Sequence, residues 1–324
     1  MKSEETKPQL YFAPMEGITG HIFRRAFCKH FFAPDKLFTP FIVPDSNIIL
    51  RTRERNDIMP EHNRGLTIIP QILTNNSIAF VETAKLLAAY GYTEVNLNLG
   101  CPSGTVSAKR KGAGFLAVPE ALDAFLEEIF RECPIEISIK TRIGIEREEE
   151  FEPLLHIYEK YPVKELTIHP RLLKDYYKNS PHRKQFESAY GQSKHRLCYN
   201  GDINSRKDYE TLFSAFPRLS AVMIGRGALM NPWLFGEIRG AAGSPEKGKT
   251  LLAFQNTLIR EYSAILSGER DVLFKLKELW FYLCKGSKKP EEYTKCVKKV
   301  KRLSELLCFS ERFAAEEYGN IRPE

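Results

Sequence analysis

The 324-residue sequence has no apolar run close to the roughly 18 residues that a membrane-spanning helix needs. Its first ten residues, MKSEETKPQL, hold no apolar segment of the kind found in signal peptides, so we expect a protein that is not exported. The seven cysteines include no CxxC pair, which argues against a disulfide framework and against a structural zinc site. We therefore expect a cytoplasmic protein that does not bind membranes.

Motifs of several enzyme classes are also missing. The seven histidines show no HExxH or HxH spacing, and there is no GxSxG sequence, so the usual parts of a metalloenzyme or a serine hydrolase are absent. The segment GAGFLA at 112–117 matches the dinucleotide fingerprint, but it follows the charged AKRK rather than an apolar strand. We reject a nucleotide fold at that position and expect no bound metal.

Charge is nearly balanced along the chain but uneven in its placement. The formal net charge is +7, from 48 Lys and Arg against 41 Asp and Glu. The stretch CKGSKKPEEYTKCVKKVKR at 284–302 alone holds eight Lys or Arg and two Glu. Such a run is either a solvated helix face or a contact surface for a polyanion, and composition does not decide between the two.

Short runs rich in β-branched and aromatic residues recur along most of the chain and alternate with helical patterns. Eight strand–helix repeats predict an α/β fold of the closed (β/α)8 TIM-barrel type. From about residue 240 the pattern is purely helical, with amphipathic runs at 251–266, 272–284 and 293–308. We predict a barrel domain at 1–240 and a C-terminal all-helical bundle domain at 245–324. The predicted strands are 9–14, 36–43, 66–73, 93–100, 135–144, 164–170, 196–203 and 221–229.

The reactive groups of a TIM barrel lie at the carboxyl ends of its strands. Seven of the eight predicted strands carry polar residues or glycines at that end, and although each has an ordinary explanation alone, together they predict a site. The first strand ends in Ala13-Pro14-Met15-Glu16-Gly17. The later strand ends carry, in chain order, Gln71, Cys101, Lys140, Arg142, His169, Asn200, Gly201, Asp202, Gly225 and Arg226. The last five follow the seventh and eighth strands, where backbone N–H groups beside glycine, together with a guanidinium, predict a phosphate site.

Cys101 lies in NLNLGCPSG, at the end of the fourth predicted strand. Strand alternation points Asn96 and Asn98 to one face, and Gly100 and Pro102 fix the turn that carries the thiol. The thiol could act as a nucleophile, a metal ligand or a proton donor. No partner for the first two roles is evident nearby, and an ordinary thiol with a pKa of about 8.5 is mostly protonated at neutral pH, which suits proton donation.

These segments resemble the tRNA-dihydrouridine synthases, FMN-dependent enzymes that reduce uridine in the D-arm of tRNA. The matching segments extend through the whole predicted barrel, whereas the helical domain matches by architecture more than by motif. They are YFAPMEGITGHIFRRAF, PQIL, VNLNLGCPSGTVSAKRKGAGFLA, SIKTRIG, LTIHPR, YNGDI and VMIGRGALMNPWLF.

The resemblance implies that FMN lies across the barrel mouth and that NADPH supplies the electrons. Ala13, Pro14, Met15 and Gln71 would contact the isoalloxazine, Lys140 would lie near its N1/O2 side, and His169 would join the phosphate site named above. Hydride would pass to C6 of uracil while Cys101 protonates C5, with Asn98 and Arg142 positioning the base. Because the base must leave its stack, Lys109, Lys298, Lys299 and Lys301 would hold tRNA phosphates.

One segment departs from the family pattern. After the sixth strand the family usually shows His-Gly-Arg-Thr, whereas this chain has His169-Pro170-Arg171-Leu172, which removes one backbone N–H and one hydroxyl. Two alternatives to the main interpretation remain: a barrel of the dihydroorotate dehydrogenase type that acts on a free pyrimidine, and a non-enzymatic RNA-binding protein. We also predict a monomer.

Overall fold

The computed structural model describes residues 7–44 and 50–319. Residues 1–6 of the N-terminal segment and residues 320–324 of the predicted helical domain lie outside the described residues. The chain divides into two compact units. The first contains Met1–Pro14, Asp35–Asp202 and Glu210–Ile224, and the second contains Met15–Pro34, Ile203–Tyr209 and Gly225–Glu324.

All strands of the described ranges belong to the first unit and form one parallel sheet in the order β3-β2-β1-β9-β8-β7-β6-β5-β4. Each strand is a short run of mostly buried residues, as expected when both faces of a parallel sheet are covered. The strands are β1 (Gln9–Phe12), β2 (Lys36–Phe38), β3 (Ile68–Ile69), β4 (Gln71–Ile72), β5 (Glu94–Leu99), β6 (Glu136–Arg142), β7 (Leu166–His169), β8 (Leu197–Tyr199) and β9 (Ala221–Ile224).

Pro70 divides one chain segment into β3 and β4, and this segment closes the sheet. β3 pairs with β2 on one side, and β4 pairs with β5 on the other. Proline has no N–H to give to a ladder, but the carbonyl of Pro70 accepts a hydrogen bond from Asn96 N at 2.9 Å. The two short strands therefore act as one staggered barrel strand, and the prediction of an eightfold α/β barrel is confirmed.

Fourteen α-helices are formed by the described residues. Those that were predicted between the strands are present with local signals at their starts: Asn76 Oδ1 caps α3 by accepting from Ala79 N at 2.9 Å, and Pro119 opens α5. Within 7–44 and 50–319 no helix combines the length and hydropathy needed to cross a membrane. The helices are α1 (His21–His30), α2 (Thr52–Ile58), α3 (Ser77–Ala89), α4 (Gly104–Ser107), α5 (Pro119–Glu132), α6 (Phe151–Tyr158), α7 (Arg183–Gln192), α8 (Arg206–Ala215), α9 (Arg226–Met230), α10 (Leu234–Arg239), α11 (Lys247–Ser263), α12 (Glu269–Lys285), α13 (Pro290–Lys299) and α14 (Leu303–Tyr318).

The barrel interior is apolar in its middle and charged at the amino ends of the strands. An apolar cluster fills the middle and comprises Tyr11, Ala13, Phe38, Ile69, Cys198, Ala221 and Met223. At the amino ends the buried Glu94 accepts from Lys36 at 3.0 Å and Lys164 at 3.1 Å. Burial opposes ionisation of Glu94, but Lys36 and Lys164 outweigh it and lower its pKa. Both cations at this end thus have a carboxylate partner.

Aromatic packing organises the second unit. The ring of Phe254 on α11 lies 5.8 Å from Phe23, 6.5 Å from Phe27 and 5.0 Å from Phe31, so one face of α1 is buried against α11. On α12, the buried Trp280 donates to Gln255 Oε1 at 2.7 Å. A helical C-terminal region is therefore present, while the boundary predicted near residues 240–245 stays a prediction.

The prediction of one helix over 293–308 is wrong, because the chain breaks there into α13 and α14. Lys277 Nζ donates to the carbonyls of Lys298 at 3.1 Å and Val300 at 2.7 Å, which terminates α13. Glu305 then accepts from Lys301 N at 2.8 Å and begins α14. The lysine-rich stretch consequently lies on the end of α12, on α13 and on the connection to α14.

Replacement of Gly114, in the segment 112–117, tests how closely that segment packs against Ser107. A Cβ on Gly114 would lie 2.5 Å from the carbonyl oxygen of Ser107, so we expect Gly114→Ala to lower the free energy of unfolding by about 1–3 kcal/mol. Gly104→Ala is the control, because a Cβ there meets nothing within 4 Å. Urea unfolding measures both variants, and equal stability for the two would contradict the expectation.

Candidate active site

A chain of buried amides joins three strands at the carboxyl end of the barrel. Asn98 Nδ2 donates to Gln71 Oε1 at 2.7 Å, and Gln71 Nε2 donates to Asn96 Oδ1 at 2.8 Å. Asn96 Nδ2 in turn donates to Ser138 Oγ at 3.0 Å. Each amide nitrogen donates to the oxygen of the next group, so the orientation of every amide is determined by its neighbour.

The chain of amides ends at the turn that carries Cys101. Asn98 Oδ1 accepts from the backbone N–H groups of Gly100 and Cys101, both at 3.0 Å. From the other side, Ala113 N donates to the Cys101 carbonyl at 3.1 Å. Gly112 has a φ of 56°, and a Cβ there would lie 2.9 Å from the Cys101 carbonyl oxygen. The half-buried thiol is therefore held on a fixed backbone.

Lys140 lies beside Asn98 in the register of β5 and β6. Its Nζ is 3.7 Å from the position that a Cβ on Gly100 would take, which places the ammonium next to the Cys101 turn. Burial, followed by the nearby Arg142, lowers the pKa of Lys140 from 10.5 to about 8. None of the described residues gives Lys140 a hydrogen bond or an ion pair. In contrast to Lys36 and Lys164, it is a half-buried cation without an anion.

Arg142 connects the Cys101 turn to the loop that follows β7. The buried guanidinium donates to the carbonyls of Gly100 at 2.9 Å, Leu172 at 2.8 Å and Tyr176 at 2.9 Å. It also lies 5.3 Å from the ring centroid of Tyr177, a half-exposed side chain. Because its donors are engaged with backbone carbonyls, Arg142 fixes the loop relative to the turn.

His169 at the end of β7 is neutral and buried. Its Nδ1 lies 2.5 Å from the carbonyl oxygen of Asn200. Burial, together with the cations Lys140, Arg142 and Arg171, lowers its pKa well below the ordinary histidine value. A neutral ring with Nδ1–H donating to Asn200 follows from this environment.

The segment that departs from the family pattern forms an ion pair with a predicted site residue. The Arg171 guanidinium binds the Asp202 carboxylate through both nitrogens, Nη1 at 3.2 Å and Nη2 at a shorter distance. The carbonyl of Pro170 accepts from His182 N at 2.6 Å, and the Leu172 side chain is buried. The Asp202 side chain is thus engaged by Arg171.

Most of the predicted site residues lie at one end of the barrel in the first unit. Ala13 N donates to the Ile224 carbonyl at 2.8 Å, and Asn200 Nδ2 donates to the Met223 carbonyl at 2.9 Å. Lys109 is exposed, and its carbonyl accepts from Asn75 Nδ2 at 3.1 Å. The members are Ala13, Pro14, Gln71, Asn98, Cys101, Lys140, Arg142, His169, Asn200, Gly201 and Asp202.

The other predicted residues belong to the second unit. Met15 N donates to Thr19 Oγ1 at 2.8 Å, and Gly225 caps α9, which begins at the half-buried Arg226. Lys298, Lys299 and Lys301 also belong to the second unit, and all three are exposed. A joint phosphate site made by residues 200–202 and 225–226 stays a prediction.

Four contributors to the site were not among the predicted site residues. Asn96 and Ser138 share the inward face of their strands with Asn98 and Lys140, so strand alternation was a usable signal for both. Arg171 and Tyr177 had no such signal, because the partners Asp202 and Arg142 are distant in sequence.

The geometry of the barrel and of its polar end indicates the class of protein. A parallel barrel with convergent polar groups at the carboxyl ends of its strands is the architecture of TIM-barrel enzymes. Two solved structures share this fold. The old yellow enzyme from Trypanosoma cruzi covers 75% of this chain and 91% of its own, with a TM-score of 0.50 and 10% identity. The match to a 2-naphthoyl-CoA reductase complex covers 72% of this chain and 50% of that one, with a TM-score of 0.51 and 9% identity.

The chain belongs to the dihydrouridine synthase (Dus) family, whose family model matches residues 11–317. The tRNA-dihydrouridine synthase B of Pasteurella multocida is 25% identical over 234 residues, which cover 72% of this chain and 69% of that protein. A probable tRNA-dihydrouridine synthase of Staphylococcus aureus (strain Mu50) is 29% identical over 243 residues, with 72% of each covered. The tRNA-dihydrouridine(20/20a) synthase of Shewanella oneidensis is 29% identical over 198 residues, 57% of this chain and 58% of that one. Membership of this family makes the protein an oxidoreductase.

The lowered pKa of Lys140 predicts a specific pH dependence of stability. Between about pH 8 and 10.5 the unfolded chain binds a proton at this lysine that the folded chain has lost, so stability rises with pH across that window. Lys140→Met removes this contribution. We expect the stability of the wild type relative to that variant to increase from about pH 8 to about pH 10 in urea unfolding.

Lys164→Met provides the control for this measurement. Burial opposes the charge of Lys164, but Glu136 and Glu94 outweigh it and raise its pKa, so its contribution is lost only above the ordinary lysine range. The difference between the wild type and Lys164→Met should stay constant over the same window. A constant difference for Lys140→Met as well would contradict the assignment of a lowered pKa.

Proposed function

We propose that this protein is a tRNA-dihydrouridine synthase that reduces the C5–C6 bond of a uridine in the D-arm of tRNA, using FMN and NADPH. The observation that carries the proposal is the placement of Cys101 beside Lys140 at the carboxyl end of the barrel. A thiol on a fixed turn and a cation without an anion meet at one site. Family membership favours this proposal over a barrel that acts on a free pyrimidine.

The residues of the first unit suit a bound flavin. Lys140 is a half-buried cation without a protein anion, which suits the charge of a reduced isoalloxazine. Gln71 and Asn98 each keep a second amide hydrogen beyond the bonds of the amide chain. When bound, FMN supplies the hydride that reduces the substrate. The roles of Met15, Gly225 and Arg226 toward this cofactor stay predictions from the resemblance.

The role predicted for Asp202 in phosphate binding changes. The Asp202 carboxylate is bound to Arg171, so we assign Asp202 a backbone contribution rather than a side-chain contact with an anion. Neutral His169 and the buried Gly201 place no negative charge near such a group. The three residues thus leave the end of β7 and β8 compatible with the phosphate of FMN.

Cys101 donates a proton to C5 of the uracil in the proposed reaction, while C6 receives the hydride. This addition converts the C5–C6 double bond to a single bond and leaves the thiol as a thiolate. Lys140, next to the Cys101 turn, stabilises negative charge that develops at the site. Asn98 acts by holding the backbone of Gly100 and Cys101, and Arg142 by holding the loop of Tyr176 and Tyr177.

The tRNA must present an unstacked uridine to the barrel, which requires contacts with the surrounding phosphates. Lys298, Lys299 and Lys301 are exposed, and no carboxylate of the described part of the chain pairs with any of them. We assign them, with Lys109, to tRNA phosphates. The monomeric state and the cytoplasmic location stay predictions.

Replacement of the proposed proton donor tests the chemistry. We expect Cys101→Ala to retain FMN, measured by its visible absorbance, and to lose dihydrouridine formation by about 100-fold or more, since general acid catalysis contributes roughly 10²–10⁴-fold. Dihydrouridine is quantified by position in tRNA from a deletion strain after incubation with enzyme and NADPH.

Cys133→Ala is the matched control, because this half-buried thiol precedes β6 at the opposite end of the barrel and donates to the Ile135 carbonyl at 3.3 Å. It should retain full activity. Undiminished activity in Cys101→Ala would exclude the proton-donor role. Unmodified tRNA with the wild type, together with turnover of a free pyrimidine, would refute the proposed substrate.

Removing the unpaired lysines tests the tRNA contact. We expect the triple variant Lys298→Ala, Lys299→Ala, Lys301→Ala to bind tRNA more weakly and to reduce the slope of log K against log salt by about 2–3, since each phosphate contact contributes roughly 0.7–0.9. The FMN content should not change.

The control triple removes the same charge from α3, from α5 and from the turn after α6: Lys85→Ala, Arg131→Ala and Lys160→Ala. Each of these cations is already paired with a carboxylate, at 2.7 Å, 2.8 Å and 2.5 Å respectively. An equal slope change in both triples would show that total charge, rather than the assigned surface, determines binding.

A further inference from the structure

The outer face of α12 presents two phenylalanine rings to solvent. Phe274 is 51% exposed, and Phe281 is half-buried two turns further along the helix. Residues seven apart lie on the same face of a helix, separated by about 10 Å along its axis. The opposite face of α12 buries Leu276, Leu279, Trp280 and Leu283, so the buried face of this helix is formed without Phe274 and Phe281.

Cations flank both rings. The Arg270 guanidinium lies 5.4 Å from the Phe274 ring centroid, and Lys285 Nζ lies 4.4 Å from that of Phe281. Lys298, at the end of α13, approaches Phe281 at 5.9 Å. Across the described part of the chain, none of these three cations forms an ion pair with a carboxylate. We refer to Arg270, Phe274, Phe281, Lys285 and Lys298 as the α12 stripe.

The chemistry of the α12 stripe fits an RNA strand better than a protein. Protein interfaces exclude lysine from their cores, whereas proteins that bind single-stranded nucleic acid combine aromatic rings with unpaired cations along one surface. The rings offer faces to bases, and the cations offer charge to the phosphates between them. The spacing of about 10 Å exceeds the ~3.4 Å between stacked bases, so each ring suits a separate, unpaired base.

We propose that the α12 stripe is a base-stacking surface, on which Phe274 and Phe281 each hold an unpaired base of the RNA substrate. Arg270, Lys285 and Lys298 contact the neighbouring phosphates. This inference rests on the proposed function, because the RNA that would contact the α12 stripe is the tRNA substrate of that function. It adds that the helical unit contacts bases as well as phosphates.

Three variants at one exposed position test the surface. Phe274→Ala and Phe274→Leu should each weaken binding of an unmodified tRNA transcript about tenfold, within the range known for base–aromatic stacking, while Phe274→Tyr keeps wild-type affinity. Stacking involves no counterion release, so the slope of log K against log salt should stay at the wild-type value in all three. Thermal unfolding should be unchanged, since Phe274 is exposed.

The leucine variant separates stacking from simple apolar contact. Wild-type affinity in Phe274→Leu or in Phe274→Ala would overturn the proposal, as would a changed salt slope in Phe274→Ala. Phe274-dependent self-association in sedimentation, with unchanged tRNA affinity, would assign the surface to a second copy of the chain and also overturn it. Failure of the wild type to bind tRNA or form dihydrouridine would refute the proposed function itself. An active wild type, together with Phe274 variants of unchanged tRNA affinity, would refute only the proposed role of the α12 stripe.

Discussion

Closure of the sheet through the segment around Pro70 is the constraint on which the site depends. Because β3 pairs with β2 and β4 pairs with β5, the parallel strands form a ring whose carboxyl ends face the same way. Strand alternation then turns Gln71, Asn98 and Lys140 toward the interior. The amide chain itself needs only the adjacent strands β4, β5 and β6, whereas closure brings it to the same end of the barrel as Ala13 after β1 and Asn200 after β8.

The half-buried lysines at the two ends of the barrel differ in whether they have a carboxylate partner. At the amino ends Lys36 pairs with Glu94, and Lys164 pairs with both Glu94 and Glu136, so neither cation of that cluster lacks an anion. At the carboxyl ends Lys140 has no carboxylate, and its lowered pKa is the electrostatic cost of that arrangement. Such a cost is typical of a site that awaits an anion, and it coincides with the rigid turn of Cys101.

Local patterns in the sequence predicted the strands, the barrel and the inward face of β5, because alternation and turn chemistry act over a few residues. Contacts between distant segments escaped prediction. The pairing of Arg171 with Asp202 and the stacking of Arg142 on Tyr177 depend on loops whose course no periodicity specifies. The break between α13 and α14 was missed for the same reason, since Lys277 of another helix terminates α13.

Arg142 couples the position of the loop after β7 to the position of the Cys101 thiol. A single guanidinium holds the carbonyls of Gly100, Leu172 and Tyr176, so a shift of the loop pulls on the peptide that precedes Cys101. Lengthening or shortening residues 173–175 would therefore disturb the sulfur even though those residues are remote from it in sequence. In this chain, a change in the length of the loop would leave the sulfur in place only if the guanidinium kept all three of its acceptors.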